Sequence, residues 1–227
     1  MSFNQNEFNQ FIIDNNVVGF KEQDITLKSG RISRWYANCR NLTSFAGISD
    51  KTANFVIDFV NEKNLEFDYF YGIPAGATKL GLLISYKTAA RANKDMFKLI
   101  IGREVPKEHG EAKDKYFIGP IKPGDRVIAV EDVTTTGGSL IKGIKRLIEA
   151  GANVVASVGL VNRMEKGDDG LTVEETIRQK FGIQHYSMSD AFDLLPLEAG
   201  KNPPSEETKR KVEQYFRTYS VRELDLG

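Results

Sequence analysis

Scarcity says as much about this chain as abundance. It holds one cysteine, Cys39, among 227 residues, so no internal disulfide can form, which suits a reducing cytoplasm. Neither sign of charge is in surplus. Lys plus Arg and Asp plus Glu stand at 31 each, which argues against general binding to nucleic acid or an anionic membrane. No apolar run approaches the ~20 residues that a membrane-spanning helix needs. The first residues, Met-Ser-Phe-Asn-Gln-Asn-Glu, lack the basic n-region and apolar core of a secretion signal. Neither G-x-x-x-x-G-K-[ST] nor G-x-G-x-x-G occurs, which removes two common phosphate-binding motifs. No repeat, low-complexity tract or linker divides the chain. A soluble cytoplasmic protein of one α/β domain with an appendage is expected, and 41% apolar residues suffice for a sizeable core.

What is present is organised around Arg126-Val-Ile-Ala-Val-Glu-Asp-Val-Thr-Thr-Thr-Gly-Gly-Ser139. Val127 to Val130 suit a strand buried on both faces. Two acids follow, Glu131 and Asp132, then Val133, three threonines and two glycines. Leu140, Ile141, Ile144, Leu147 and Ile148 then fall on one helical face. Backbone N–H groups and the dipole at such a helix start attract an anion, most often phosphate. The carboxylates attract hydroxyls or a divalent metal. A sugar phosphate carrying a vicinal diol satisfies both.

Taken in order, residues 3 to 16 suit a short helix. Val17 to Phe20 and Asp24 to Leu27 suit brief strands, with Lys28-Ser-Gly30 as the tip of a hairpin running to Tyr36. Residues 46 to 61 have helical spacing. Asp68 to Tyr71 suits the first strand of the main sheet, followed by the small-residue loop Gly72 to Thr78, which includes Ala75 and Gly76 and admits close approach to the backbone. Leu80 to Ala92 continues as a helix, and Lys98 to Ile101 is expected as the second core strand. Arg103 to Lys115 has almost nothing to bury, and a loop of that length is either a lid or a solvated mobile segment. Val154 to Val161 suits another strand ending at Asn162-Arg163. An arginine there is either a ligand contact at the sheet's carboxyl edge or half of a surface ion pair. Thr172 to Phe181 suits a helix, Ile183 to Met188 a final strand, and Lys201 to Tyr219 a helix after Pro203-Pro204. Alternating strands and helices imply a mostly parallel open sheet flanked by helices on both faces.

The block from Arg126 to Ser139 resembles the 5-phosphoribosyl 1-diphosphate (PRPP) signature of the type I phosphoribosyltransferases. Leu27-Lys-Ser-Gly-Arg31, Arg103-x-x-x-Lys107-x-His109-Gly110 and Arg163 narrow the resemblance, which runs from about residue 5 to about 200, to the orotate phosphoribosyltransferases. It implies the type I fold with a small N-terminal hood (about 1–45), a core (about 46–190) and a C-terminal helical segment (about 191–227). It implies transfer of the phosphoribosyl group of PRPP to orotate, yielding orotidine 5′-monophosphate and pyrophosphate. Magnesium would be held mainly by PRPP and water near Glu131 and Asp132, with no direct protein ligand.

Carried over by residue, the catalytic set would be Lys107, His109 and Asp132. Lys28, Arg103, Lys107 and His109 would hold pyrophosphate, with the backbone at Ala75 and Gly76. Glu131 and Asp132 would take the ribose hydroxyls. Val133, Thr134, Thr135, Thr136, Gly137, Gly138 and Ser139 would form the PRPP loop, its 5′-phosphate cradled from Thr135 to Ser139. Lys28, Tyr36, Ala37, Thr135 and Arg163 would hold orotate, Arg163 reading its carboxylate as a fork. His109 either donates a proton to the leaving group or only hydrogen-bonds to it. The lid of this family usually reaches a neighbour's site, so a homodimer with shared sites is implied. The chain departs from the family at Glu104 and Gly76, where lysine is common, and at Ala37, where a second aromatic is usual. Lys79, at a helix start, is expected to point to solvent rather than replace the lysine missing at Gly76. A purine or uracil phosphoribosyltransferase, or a PRPP-sensing regulator without catalysis, would share the central block.

Overall fold

The computed structural model of the chain describes residues 2–227. Four parallel strands form the central sheet in the order β3 (Tyr69–Gly72), β6 (Arg126–Thr134), β7 (Asn153–Asn162) and β8 (Gln184–Asp190). Tyr69, Tyr71, Val127, Ala129 and Val154 pack to one side with Leu140, Ile144 and Leu147 of α5 (Gly138–Glu149) and Val173 and Ile177 of α6 (Val173–Phe181). Phe70, Ile128, Val130, Val158 and Leu160 pack to the other, against α1 (Gln5–Asp14), α2 (Ala46–Glu62) and the C-terminal helices α7 (Ala191–Lys201) and α8 (Glu206–Tyr219). The sheet is thus buried on both faces, as a parallel sheet requires. An extra residue in β7, Val155, falls between the pairs Val127–Val154 and Ile128–Ala156. This bulge inverts the inward–outward alternation along β7, so Val158 and Leu160 join the core opposite the one that takes Val154.

The expected N-terminal strands form one hairpin: β1 (Val18–Thr26) runs antiparallel to β2 (Ile32–Ala37), with a register shift between Phe20 and Ile25. Trp35 of β2 is fully buried and stacks on Phe216 of α8 at 5.9 Å. Chain start and chain end therefore share one layer. The short 3-10 helix Cys39–Thr43 follows the hairpin and leads into α2.

Lys98–Ile101 does not become a core strand. Only Ile101–Gly102 is extended (β4), and it pairs antiparallel with β5 (Phe117–Ile118) in a separate two-stranded ribbon. Side chains hold the segment in place of a ladder: Lys98 pairs with Asp125, and Gly102 lies so close to the Tyr71 hydroxyl and Pro74 that no side chain would fit. The long segment after β4 carries a short helix, α4 (Ala112–Tyr116). Helix α3 (Thr78–Ala92) connects β3 to this ribbon. α7 falls within the C-terminal helical segment that the resemblance implied, although the local pattern, broken by Pro196 and Gly200, marked no separate helix there. Asp190 starts it by accepting the N–H groups of Phe192 and Asp193.

Candidate active site

Two helices begin at the carboxyl edge of the sheet without a side-chain cap. Helix α3 starts after Ala77 and α5 after Gly137, and uncapped first turns leave N–H groups for a ligand. Gly137 has φ 76°, and a Cβ there would meet the Val173 side chain. Only glycine lets the chain turn from β6 into α5 at that spacing. Between the two helix starts and the hairpin lies a cleft of about 710 Å³. It is lined by every residue from Glu131 to Ser139, by Pro74, Ala75 and Gly76, by Lys28, Tyr36 and Ala37 of the hairpin, and by Arg163.

The two acids differ sharply. Glu131 is 5% exposed, and burial, then Asp132 beside it, pushes its carboxyl well above the ordinary carboxylate range. Asp132 is half-buried, and its N–H donates to Glu131 Oε1 at 3.3 Å. Its carboxylate rests on the Cα of Gly76, where a Cβ would have to displace it. Cys39 is buried behind the pair. Burial first, then Asp132 and Glu131, raise its thiol well above the usual range, so it is a neutral wall and not a nucleophile.

Lys28 Nζ donates to Ser139 Oγ at 3.2 Å, which puts the hairpin tip over the start of α5. Arg163 lies 3% exposed, its guanidinium 3.6 Å above the Trp35 ring. Its Nε donates to Glu165 Oε1 at 2.7 Å. The fork expected at this position is therefore half engaged inside the protein, while the residue still lines the cleft. Lys79 does not point freely to solvent: its amine donates to the Thr43 carbonyl at 2.8 Å, so it supplies no charge in place of a lysine at Gly76.

Arg103, Lys107 and His109 are not brought into this cleft. The Arg103 and Lys107 N–H groups donate to the carbonyls of Tyr116 and Lys115 at 2.7 and 3.0 Å, closing their segment on itself. Sequence reasoning missed Asn38, Arg40 and Lys142, all exposed and lining the cleft. Lys142 was findable, because it stands three residues after Ser139 on the same edge of α5. Arg40 has no such signal, since its placement depends on the 3-10 helix after the hairpin.

A cleft made from an acidic strand end and a hydroxyl–glycine turn, at the rim of a parallel sheet, defines a phosphoribosyl-transfer site. The phosphoribosyl transferase domain model matches residues 51–187, and the chain belongs to that family. Within it, the chain is 33% identical over 189 residues to the orotate phosphoribosyltransferase of Pyrococcus abyssi, covering 83% of this chain and 94% of that one. It is 33% identical over 167 residues to the orotate phosphoribosyltransferase of Methanococcus maripaludis, covering 74% and 84%. Among solved structures, the orotate phosphoribosyltransferase of Francisella tularensis superposes with a TM-score of 0.71 at 23% identity, covering 95% of this chain and all of that one. That last likeness bears on the fold.

Proposed function

We propose that this protein transfers the 5-phosphoribosyl group of PRPP to orotate, forming orotidine 5′-monophosphate and pyrophosphate, a step of pyrimidine synthesis in the cytoplasm. The observation that carries the reading is one cleft that gathers both sets of residues. The β6–α5 loop offers a phosphate cradle, and Tyr36, Ala37 and Arg163 line the same cleft with an aromatic ring, a small side chain and a cation. Similarity to orotate phosphoribosyltransferases over most of the chain supports the same acceptor.

In this mechanism Thr135 to Ser139 take the 5′-phosphate on N–H and hydroxyl donors, with Lys28 closing over Ser139. Asp132 accepts from the ribose hydroxyls, and Glu131 joins it. As the bond from the anomeric carbon to pyrophosphate lengthens, positive charge grows on the ring and negative charge on the leaving group. Preorganised cations stabilise that separation in a site closed to water. Arg163 holds the orotate carboxylate so that the ring nitrogen faces the anomeric carbon.

The donor set fits magnesium. Among the described residues no three His, Cys, Asp or Glu side chains converge on a metal, and magnesium commonly keeps its waters and takes one or two carboxylates plus substrate phosphates. Asp132 and Glu131 would hold it through water and the ribose diol. When bound, it neutralises charge on the pyrophosphate.

Arg103, Lys107 and His109 serve the cleft of a second copy in this reading. Their distance from their own cleft supports a homodimer with exchanged lids. No helix among the described residues is long and apolar enough to cross a membrane. The test is an ultraviolet assay of orotate consumption with PRPP and magnesium, run beside uracil, hypoxanthine, guanine and adenine. Turnover with orotate alone is expected. Consumption of another base in its place would transfer the assignment, and PRPP binding without any turnover would favour a regulator.

A further inference from the structure

Glu165 does not itself line the cleft, yet its carboxylate joins Arg163, which does, to Arg31 at the base of the hairpin tip. Oε1 accepts from Arg163 Nε at 2.7 Å and Oε2 from Arg31 Nη1 at 2.8 Å. The carboxylate is fully buried, and the Arg163 and Arg31 side chains are 3% and 11% exposed. Burying a charged group is costly unless it is paired with good geometry; here one acid meets two cations at its two oxygens. Arg31 lies three residues beyond Lys28, at the end of the hairpin tip. Its Nη2 also donates to the Lys166 carbonyl at 2.7 Å, and its guanidinium covers the Tyr219 ring at 4.6 Å. The arginine is fixed from three directions.

We infer that Glu165 is a positioning residue for the acceptor: one carboxylate sets both the orientation of Arg163 and the height of the Lys28 hairpin above the phosphate cradle. With Nε committed to Glu165, Nη2 reaching Ser33 Oγ at 3.4 Å and one face lying on Trp35, Arg163 can offer a ligand only the outward N–H groups of its terminal Nη1–Nη2 edge. That edge matches the two oxygens of a planar carboxylate. A guanidinium free to turn about its side chain would lose the preorganisation that favours a carboxylated base over an uncharged one. The same carboxylate is one of three holds on Arg31, so loosening it also relaxes the tip carrying Lys28. Glu165 thus links Arg163 to the hairpin tip. The inference rests on orotate as the acceptor, and its test is chosen so that the two can fail separately.

Trp35 is the single tryptophan in the chain and lies directly beneath Arg163, so its emission reports the guanidinium without any reference to turnover. The experiment compares Glu165→Gln, Glu165→Asp and Arg31→Met with the parent protein. It reads tryptophan emission, and steady-state kinetics with orotate and PRPP varied in turn. For Glu165→Gln, a shifted emission is expected together with an orotate KM raised about tenfold or more, while kcat falls less than threefold. Glu165→Asp should recover most of the orotate KM. Arg31→Met should raise the KM for PRPP more than that for orotate, because it releases the tip and leaves Arg163 paired. If Glu165→Gln does not fold, the Arg31→Met and Glu165→Asp results decide. Unchanged emission and unchanged KM values in the folded variants would overturn the inference, as would a fall in kcat alone. If the parent protein turns over no orotate, the acceptor assignment fails, and the emission of Glu165→Gln still decides whether Glu165 orients Arg163.

Discussion

Lys28 and Ser139, 111 positions apart in sequence, meet at 3.2 Å where the hairpin tip crosses the start of α5. A lysine held there faces the uncapped N–H groups of that helix and adds a full charge to their partial ones. Lys28→Ala removes a charged hydrogen bond to bound PRPP, worth roughly 1.5–3 kcal/mol, while the exposed contact with Ser139 adds little to stability. The expected result is a fall of about tenfold to a hundredfold in kcat/KM for PRPP with an unchanged melting temperature. Unaltered kinetics would show that the contact closes the cleft without binding substrate.

Gly76 leaves room for the Asp132 carboxylate, and a methyl at that position would press into it. Gly76→Ala should therefore weaken PRPP binding by about tenfold or more, a loss of roughly 1.4 kcal/mol or more, measured by calorimetry. Asp132→Asn should give a loss of similar size without the steric cause. Additive losses in the double variant would mean that the two positions act independently and that the steric account is wrong.

His185 carries the clearest pH signature. It is buried in β8, with Nδ1 2.9 Å from Ser157 Oγ, and desolvation lowers its pKa to about 4. A histidine held neutral in the fold but able to take a proton when unfolded favours the fold above its unfolded pKa. That contribution is lost as pH falls from about 6.5 towards about 4, on the order of 3 kcal/mol over the window. Urea melts at pH 7 and pH 4.5 should differ in this direction, and His185→Asn should flatten the difference. An equal slope in the variant would assign the acid sensitivity elsewhere.

Glu131 has the opposite sign. Its folded pKa is raised, so its contribution is full below the ordinary carboxylate pKa and declines as pH rises through the shifted value. Glu131→Gln should accordingly be at least as stable as the parent at pH 8, and less active. Thermal melts across pH 5 to 8 measure the first property and the orotate assay the second.

Exchanged lids make a sharp prediction. His109→Ala and Asp132→Asn should each be poorly active alone, by a hundredfold or so if the histidine stabilises the leaving group. Subunits of the two variants, mixed and allowed to exchange, should regain a substantial part of parental activity, because one hybrid site has neither change. No recovery after confirmed exchange would keep the lid with its own chain.

Contiguous chemistry was legible in the sequence; distant pairing was not. The stretch from Arg126 to Ser139 announces strand, acids, turn and helix in unbroken order, and the structure forms them as β6, the loop and α5. Tyr36, Ala37 and Arg163 also reach the cleft. Lys98–Ile101 has the composition of a core strand but is held by Lys98–Asp125 and by close packing at Gly102, neither of which a local pattern contains. The start of helix α7 was masked by Pro196, which removes one helical hydrogen bond but lies on the helix's exposed side. The partnership of Arg163, Glu165 and Arg31 joins residues 134 positions apart, and no reading by spacing could supply it.

The stretch matching the family domain stops at residue 187, short of α8. Yet Phe216 backs Trp35, Tyr219 covers Arg31, and Ser220 Oγ donates to the Met164 carbonyl at 2.6 Å. The last turns of the chain thus brace the hairpin and the end of β7 from beyond the residues that the family model matches. Substitutions in that brace are expected to shift the hairpin against the cleft while the stretch from Glu131 to Ser139 stays as it is.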